Sequence, residues 1–573
     1  MSARRFLLLF LGALTVLRLI YCAQIELSPD EAYYFQWSQH LAPSYFSKGP
    51  GVALAMWLGT HAFGANEFGV RVLSPLLALG TSLLLAWLAR RLYGESVALW
   101  TVLLINCTPI FNAGGLLLTI DPLSIFFWTA ALCTFWLALE KSPAFSRWWP
   151  LTGALIGCGF LAKYTNAMQL LSILLLLAAT PKYRRELLRP GFASLLATFA
   201  IFTIPVLVWN AQHDWITLRH LGERGGLSDA PRFRPTEFFI YLGLHFAVYS
   251  PLIFGGMLSA LPWSWKKGRV HFKPRFLLAF TLPLFALYFT LAIKQSGEPN
   301  WTAPATVSLA ILTVVCWHEW VAERKWARNF AVAALAFGAL MSVVTVDAEL
   351  LRRAGIPLSY DLDPSARLRG WRTGSEAIET LRKKFEAEHG QPVFLIANKY
   401  GTAASLAFYF QDKRREGPGH PPVYCPMSAV PENQFFFWPR YDALVNYTDV
   451  ARDLLPSLDD AHRTALTSAL SALEIPGKPA EETERRRQFI VALNAAAPHL
   501  KIDEYFTEAM GYSPFIGRTA LYITDREEGK PASSILREFA RAEMIACIDI
   551  TRRGLPLRQL RVFACYDYRQ PEL

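Results

Sequence analysis

Residues 72–111 read VLSPLLALGTSLLLAWLARRLYGESVALWTVLLINCTPIF. From Val72 to Ala89 no side chain is charged, Arg90 and Arg91 follow as a pair, and a second apolar run begins after Glu95. Each run is close to the length that crosses the hydrocarbon core of a bilayer as a helix, and the basic pair between them marks a short connecting loop. The same pattern recurs along the chain, at 6–23, 72–89, 95–111, 123–139, 148–162, 164–180, 191–209, 237–262, 276–293, 301–317 and 329–346. Eleven such spans predict a polytopic α-helical membrane domain over 1–346. Of the 573 residues 53% are hydrophobic and 18% charged, and a soluble core has no use for so many uncharged runs.

A formal charge of +11 would suit nucleic acid if it were gathered on one surface, but the basic residues are spread over loops: Arg90-Arg91, Lys182 to Arg189, Lys266 to Arg275. That distribution is a topology signal, and nucleic-acid binding is set aside. The first span follows Arg4-Arg5 and resembles a signal peptide. No small-residue cleavage site follows Tyr21-Cys22, so it reads as an uncleaved anchor. With the N-terminus inside, the inner loops hold eighteen Lys and Arg against eight in the outer loops before residue 347. The positive-inside rule therefore favours this orientation, and eleven spans then put the C-terminal region outside the cytoplasm.

From Asp347 the character changes. Charged helical stretches such as Ser375 to His389 alternate with short apolar runs, Val393 to Ala397 and Ala520 to Thr524, which predicts a soluble α/β domain over 347–573. Residues 442–512, rich in charge and Ala, read as a helical insertion. Five of the eight Cys lie in or beside apolar spans, where a thiol serves as a small hydrophobe, and no zinc spacing occurs. Cys547 and Cys565 are the pair that an oxidising compartment would join.

Under this topology a set of polar residues converges on the outer side: Asp30 and Glu31, Lys48, Asp121, Lys163, His213, Arg219 and Arg224, and Lys294 with Asn300-Trp301. Ionisable groups beside apolar helices are candidates for function. Taken singly, each also has a structural reading. Ser28-Pro29-Asp30-Glu31 fits a capping box with Ser28 at the N-cap and Glu31 reaching back, and Asp121 before Pro122 suits an N-cap of the fourth span. Lys48, Lys163 and Lys294 have stems long enough to snorkel to the interface, and His213 suits a hydrogen-bonded loop. Taken together, cations can hold a phosphate and stabilise charge developing on it, while carboxylates orient or deprotonate an attacking group. Lys48 and the loop arginines suit the first task, and Asp30, with Asp121 or Glu31 in support, the second.

The run Leu27-Ser28-Pro29-Asp30-Glu31-Ala32-Tyr33-Tyr34, then Ser44-Tyr45-Phe46-Ser47-Lys48-Gly49-Pro50 and Glu67-Phe68-Gly69-Val70-Arg71, resembles the first outer loop of bacterial relatives of the protein O-mannosyltransferases. These are C-type (GT-C) membrane glycosyltransferases, among them the aminoarabinose transferases that modify lipid A. Thr119-Ile120-Asp121-Pro122-Leu123, the run ending at Lys163-Tyr164, Trp209-Asn210-Ala211-Gln212-His213-Asp214-Trp215 and Asn300-Trp301-Thr302-Ala303-Pro304 continue the resemblance in order, as do Gly370-Trp371-Arg372 and Tyr400 to Phe410.

The resemblance implies a bacterial inner-membrane enzyme that inverts a sugar as it transfers it from a polyprenyl phosphate donor, outside the cytoplasm, to an envelope acceptor such as lipid A, another glycolipid, a glycan or a protein. It implies Asp30 as base, Lys48 as phosphate ligand with Arg219, Arg224 and Lys294 in reach, Asp121 as the second essential acid, and Tyr34, Tyr45, Lys163, His213, Asn300 and Trp301 around the substrate. The aminoarabinose transferases have Glu, a metal-contacting position, where this chain has Ser47. A zinc ion at Ser47 and His213 is therefore not expected, and no cofactor is required, although a divalent cation is compatible. Two other classes compete. A lipid or sugar transporter would show inverted repeats and charges buried in mid-span; only Arg18, near the end of its span, comes close. A noncatalytic assembly or receptor protein would depend on the C-terminal domain and not on Asp30.

Overall fold

The computed structural model describes residues 2–224, 233–356, 358–410, 414–428, 430–443, 445–498, 511–526 and 530–569. The protein is a polytopic α-helical membrane protein with a small sheet-containing unit toward the C-terminus. By packing, the chain divides into Met1–Arg372 with Thr551–Leu557, and Thr373–Ile550 with Arg558–Leu573. The hydropathy change on which the sequence reading draws its line lies earlier, after residue 346. Residues 347–372 pack with the membrane unit because polar contacts tie them to its first loops: Arg372 pairs with Glu67, Arg367 lies 3.8 Å from Asp30, and the Trp371 N–H donates to the Glu26 carboxylate (2.6 Å).

The helices that matter below are α1 (Ala3–Cys22), α2 (Pro29–Ser38), α3 (Gly51–Phe63), α4 (Glu67–Tyr93), α5 (Glu95–Asn106), α6 (Ile120–Glu140), α7 (Trp148–Ala162), α8 (Tyr164–Ala179), α9 (Pro190–Gln212), α10 (Ile216–Arg224), α11 (Pro235–Tyr249), α12 (Pro251–Val270), α13 (Phe272–Leu291), α14 (Pro299–Glu323) and α15 (Lys325–Val346). Among the described residues seven helices are long and apolar enough to cross a bilayer: α1, α4, α6, α9, α13, α14 and α15. Three of the eleven expected spans are shorter apolar helices, α5, α7 and α8, and one is broken. The expected span 237–262 is the pair α11 and α12, bent by 116° at Ser250. Ser250 has φ 74 and precedes Pro251, which supplies no N–H and disfavours helical backbone before it, so the helix restarts in a new direction. The short helix α3 was not expected from hydropathy at all.

Helices without water around them satisfy their own backbone, and their sides choose neighbours by shape. Helix α6 is apolar all round and lies in the middle of the core, with Trp128 and Phe135 fully buried. Helices α9 and α15 stand at the rim and expose Ile201, Ile204, Val332 and Leu340. Helices α7 and α9 touch closely through Gly153, where a Cβ would stand 2.1 Å from the Leu195 carbonyl oxygen. Arg18 is buried, its guanidinium donating to Asn106 (3.1 Å) and Asn112 (2.7 Å).

The second unit contains β1 (Phe394–Ala397), β2 (Val445–Asn446), β3 (Gly511–Tyr512), β4 (Ala520–Thr524) and all but the joining ends of β5 (Phe539–Arg552) and β6 (Leu555–Tyr568). The main sheet runs β1-β4-β6-β5, with β1 parallel to β4 and β4 antiparallel to β6. The two apolar runs singled out in the sequence are thus neighbouring, paired strands of this sheet, buried throughout. The residues between β2 and β3 carry helices Tyr447–Leu454, Asp460–Leu473 and Pro479–Ala496, which bury Leu466, Phe489, Ile490 and Leu493 in a core of their own. Cys547 and Cys565 are both free thiols, against the suggested disulfide: Cys565 faces the core beside Phe394 and Tyr522, while Cys547 is exposed.

Candidate active site

The site starts from a turn. After α2, the chain folds back through Tyr45, which stacks on Trp37 (ring centroids 4.4 Å) and whose hydroxyl donates to the carbonyls of Trp37 and His40 (3.1 Å each). The Tyr45 N–H donates to the Lys48 carbonyl (3.0 Å), closing the turn. Its returning limb lies on the C-terminal end of α7: a Cβ on Gly49 would stand 2.3 Å from the Leu161 carbonyl oxygen, and one on Gly51 2.9 Å from the Ala162 nitrogen. Only glycine admits that approach. The consequence is that Lys48 is held beside the next residue after α7, Lys163. Tyr45, fully buried, builds this turn and has no face left for a substrate, which corrects its expected place in the pocket.

Asp121 is not the N-cap of α6. Thr119 takes that role, its hydroxyl accepting from the Asp121 N–H (3.4 Å), and the Asp121 carboxylate is free to turn inward. It accepts from Lys163 Nζ (2.7 Å) and Asn300 Nδ2 (2.7 Å), and Lys163 also donates to the Asn300 carbonyl (3.2 Å). Three elements far apart in sequence are thereby tied at one point. The turn at Asn300-Trp301 rests on buried His245, whose Nε2 lies 2.8 Å from Thr302 Oγ1. Trp301 packs against Tyr288 (5.1 Å) and has the Arg224 guanidinium over its ring (5.7 Å).

The expected capping box forms at α2, and it separates the two adjacent acids. Glu31 is completely buried: it accepts from the Ser28 N–H and hydroxyl (3.0 Å each), from Arg71 Nε and Nη2 (2.7 Å each), and from the Leu118 N–H (3.0 Å). Arg71 in turn donates to the carbonyls of Cys22, Ile25 and Glu26. Glu31 is therefore a tie rod of the fold, and its expected catalytic role is withdrawn because both oxygens are saturated. Asp30, one residue earlier, points outward and is half-exposed, with Arg367 at 3.8 Å. Tyr34, one turn along α2, is half-buried and meets Trp37 edge-on (5.0 Å).

Electrostatics gather these pieces. The Lys48 ammonium is pulled down to about 8, first by burial, then by the positive charges of Arg224 and Lys163, against the opposing pull of Asp121 and Asp30. Lys163 is already neutralised by Asp121, and among the described residues no carboxylate lies within ion-pair distance of Lys48. Lys48, half-buried, and Arg224, exposed at the end of α10, thus act on each other with positive charge to share, an arrangement suited to an anion. Of the other expected cations, Arg219 is exposed on α10 and Lys294 half-buried, and neither is among the charges that act most strongly on Lys48. His213 caps α9 and stacks on Trp209 (4.0 Å). The histidine at the Lys48 turn is instead His220, against Phe46 (4.5 Å), and α10 is held there by Thr217 Oγ1 donating to the Tyr45 carbonyl (3.3 Å). No motif singles out His220 in the sequence; its signal was helical spacing, four residues before Arg224. Among the described residues no three His, Cys, Asp or Glu side chains gather as a metal site would require.

Residues 47–209 match the family of dolichyl-phosphate-mannose-protein mannosyltransferases, a segment that contains Lys48, Asp121 and Lys163 and begins after Asp30. The chain is 28% identical over 312 residues to the lipid A galacturonosyltransferase RgtD of Rhizobium johnstonii, covering 53% of this chain and 62% of that one. It is 30% identical over 313 residues to the undecaprenyl phosphate-alpha-4-amino-4-deoxy-L-arabinose arabinosyl transferase of Pseudomonas aeruginosa, covering 50% and 54%. The chain therefore spans less than two thirds of the length of these relatives. In fold it is similar to ArnT from Cupriavidus metallidurans in the apo state (TM-score 0.55, 16% identity) and bound to undecaprenyl phosphate (TM-score 0.52, 15% identity), each over 98% of both chains. The fold is that of the C-type membrane glycosyltransferases.

Proposed function

We propose that the protein is an inverting glycosyltransferase that moves a sugar from a polyprenyl phosphate donor to an envelope acceptor at the extracytoplasmic face of the bacterial inner membrane. The observation that carries this reading is the meeting of Lys48, Arg224 and Lys163 with Asp121 and Asp30. A donor of this kind is a phosphodiester with one negative charge, and breaking its sugar–oxygen bond leaves a second charge on the phosphate. Lys48 and Arg224 stabilise that charge as it develops, which lowers the barrier more than it stabilises the bound donor. Asp121, occupied by Lys163 and Asn300, shapes the site and holds Lys163 in it. Asp30, the exposed acid, receives the acceptor: it deprotonates a hydroxyl or orients a phosphate, on the side opposite the leaving group, so that one displacement inverts the anomeric centre. The named relatives are support for the donor class; lipid A, another glycolipid, a glycan and a protein all remain acceptors that this site admits.

Asp30→Asn keeps the shape of the carboxylate and removes its basicity, and Ser28 rather than Asp30 caps α2. The variant should fold in membranes, bind donor nearly normally and lose turnover by roughly a hundred- to ten-thousand-fold with a hydroxyl acceptor. Sugar transfer at the wild-type rate would remove Asp30 from the mechanism and with it the reading of this cluster as an active site.

A further inference from the structure

His220 lies within the field of the two cations assigned to the donor phosphate. Its ring rests on Phe46, two residues before Lys48, and on its own helix Arg224 is four residues on. The helix is pinned at this spot by Thr217, whose N–H donates to Asn210 Oδ1 (3.3 Å) and whose hydroxyl donates to the Tyr45 carbonyl (3.3 Å). His220 is half-buried, and burial, then Lys48, then Arg224 push its imidazole down to about 4. Arg219, Glu223 and Arg224 are exposed on the same helix, and Asp30 and Asp121 act on Lys48 from across the cluster. Burial first, and then the cations beside it, keep an imidazole in this place neutral near pH 7.

That balance changes during the reaction proposed above, on which this inference rests. The donor is a monoanionic diester. When the sugar–oxygen bond breaks, its electron pair stays on the phosphate oxygen and the product is a monoester dianion. One charge partly offsets Lys48 and Arg224; two offset them fully and favour a positive neighbour. We propose that His220 is the charge-responsive member of the phosphate site: neutral while the diester is bound, it takes one proton from solvent to become imidazolium when the monoester dianion occupies the site. The site thereby distinguishes donor from spent carrier by charge and stabilises the leaving group beyond what two fixed cations provide. Nothing in the sequence motifs assigns this role to His220.

The measurement is proton uptake on binding, by titration calorimetry of the full-length protein in detergent at pH 6.5 in two buffers of different ionisation enthalpy. The probes are a short polyprenyl phosphate, a monoester, and its methyl ester, a diester of fixed charge. With the monoester, wild type should take up more protons than His220→Gln, by on the order of half a proton or more; with the diester the two should agree. His220→Phe, which retains the ring contact with Phe46, should behave as His220→Gln. Equal uptake by wild type and both variants with the monoester would overturn the proposal. Lys48→Ala separates the two levels of argument. If it leaves monoester affinity unchanged, the phosphate site itself is misassigned; if it abolishes affinity while the His220 variants match wild type in uptake, only the role of His220 falls.

Discussion

At the Lys48 ammonium, burial and the neighbouring Arg224 and Lys163 oppose the charge, and a bound phosphate would restore it. In the empty site Lys48 loses its proton as pH rises through about 8; with an anion bound it keeps it to higher pH. Binding therefore takes up a proton in that window, and the affinity for a polyprenyl phosphate should fall as pH rises above about 8, by up to roughly tenfold per pH unit. Lys48→Arg, charged throughout, should flatten the profile, which binding isotherms at pH 7 and 9 would reveal. Glu31 makes the contrasting case. Glu31→Gln leaves Arg71 buried against a neutral amide, and breaking such a pair costs roughly 3–5 kcal/mol. Lower yield and a lower unfolding temperature in detergent should follow, whereas Asp30→Asn should match wild type in both. The sequence displayed the candidates but not which neighbour does which work: Asp30 and Glu31 are adjacent letters, and only the side chains' directions separate an open acid from a saturated one. His213 and His220 are a similar pair, decided by which turn of chain meets Phe46.

Among the elements, the long apolar helices were legible because hydropathy over some twenty residues is a strong signal, and α1, α4, α6, α9, α13, α14 and α15 all stand where it put them. Hydropathy is blind to direction, so the turn of 116° at Ser250 and the short α3 escaped it. The loop that presents Lys48 was legible as a motif, but its shape depends on two glycines meeting the end of α7, a contact between segments more than a hundred residues apart. In the second unit, an acid at the start of the β5–β6 hairpin sets a pH dependence. Glu538 is buried beside Tyr441, whose hydroxyl donates to it (2.7 Å), and burial raises it from 4.5 to about 7. Because the folded state holds this proton more tightly than the unfolded chain, the associated stability is full below about 4.5 and is lost as pH rises toward about 7. The loss amounts to up to roughly 3 kcal/mol. Relative to the base-catalysed intrinsic rate, the protection of β4 and β6 amides in the full-length protein should fall between pH 5 and 7, and Glu538→Gln should remove the fall.

For the whole molecule, composition was enough to recognise a membrane protein, and the resemblance along the loops led to the C-type glycosyltransferase fold that the chain has. Orientation rests on the distribution of Lys and Arg alone. A reporter fused after residue 346 should read from outside the cytoplasm and one fused near Lys267 from inside; the same side for both would mean that one expected span does not cross. The line between the units was less legible than the change in hydropathy suggested, because contacts of Trp371 and Arg372 with Glu26 and Glu67 attach polar chain to an apolar unit. The helical insertion of the second unit, by contrast, announced itself in composition, and its attachment has a practical consequence. Its two ends, Asn446 and Gly511, sit opposite each other in the ladder of β2 and β3, and the helices between them are folded about their own core. Chain entering and leaving at one point behaves like a socket: a fluorescent protein or an antibody epitope with neighbouring termini could be exchanged for the helices there, giving the membrane protein a handle for imaging and a fiducial for alignment.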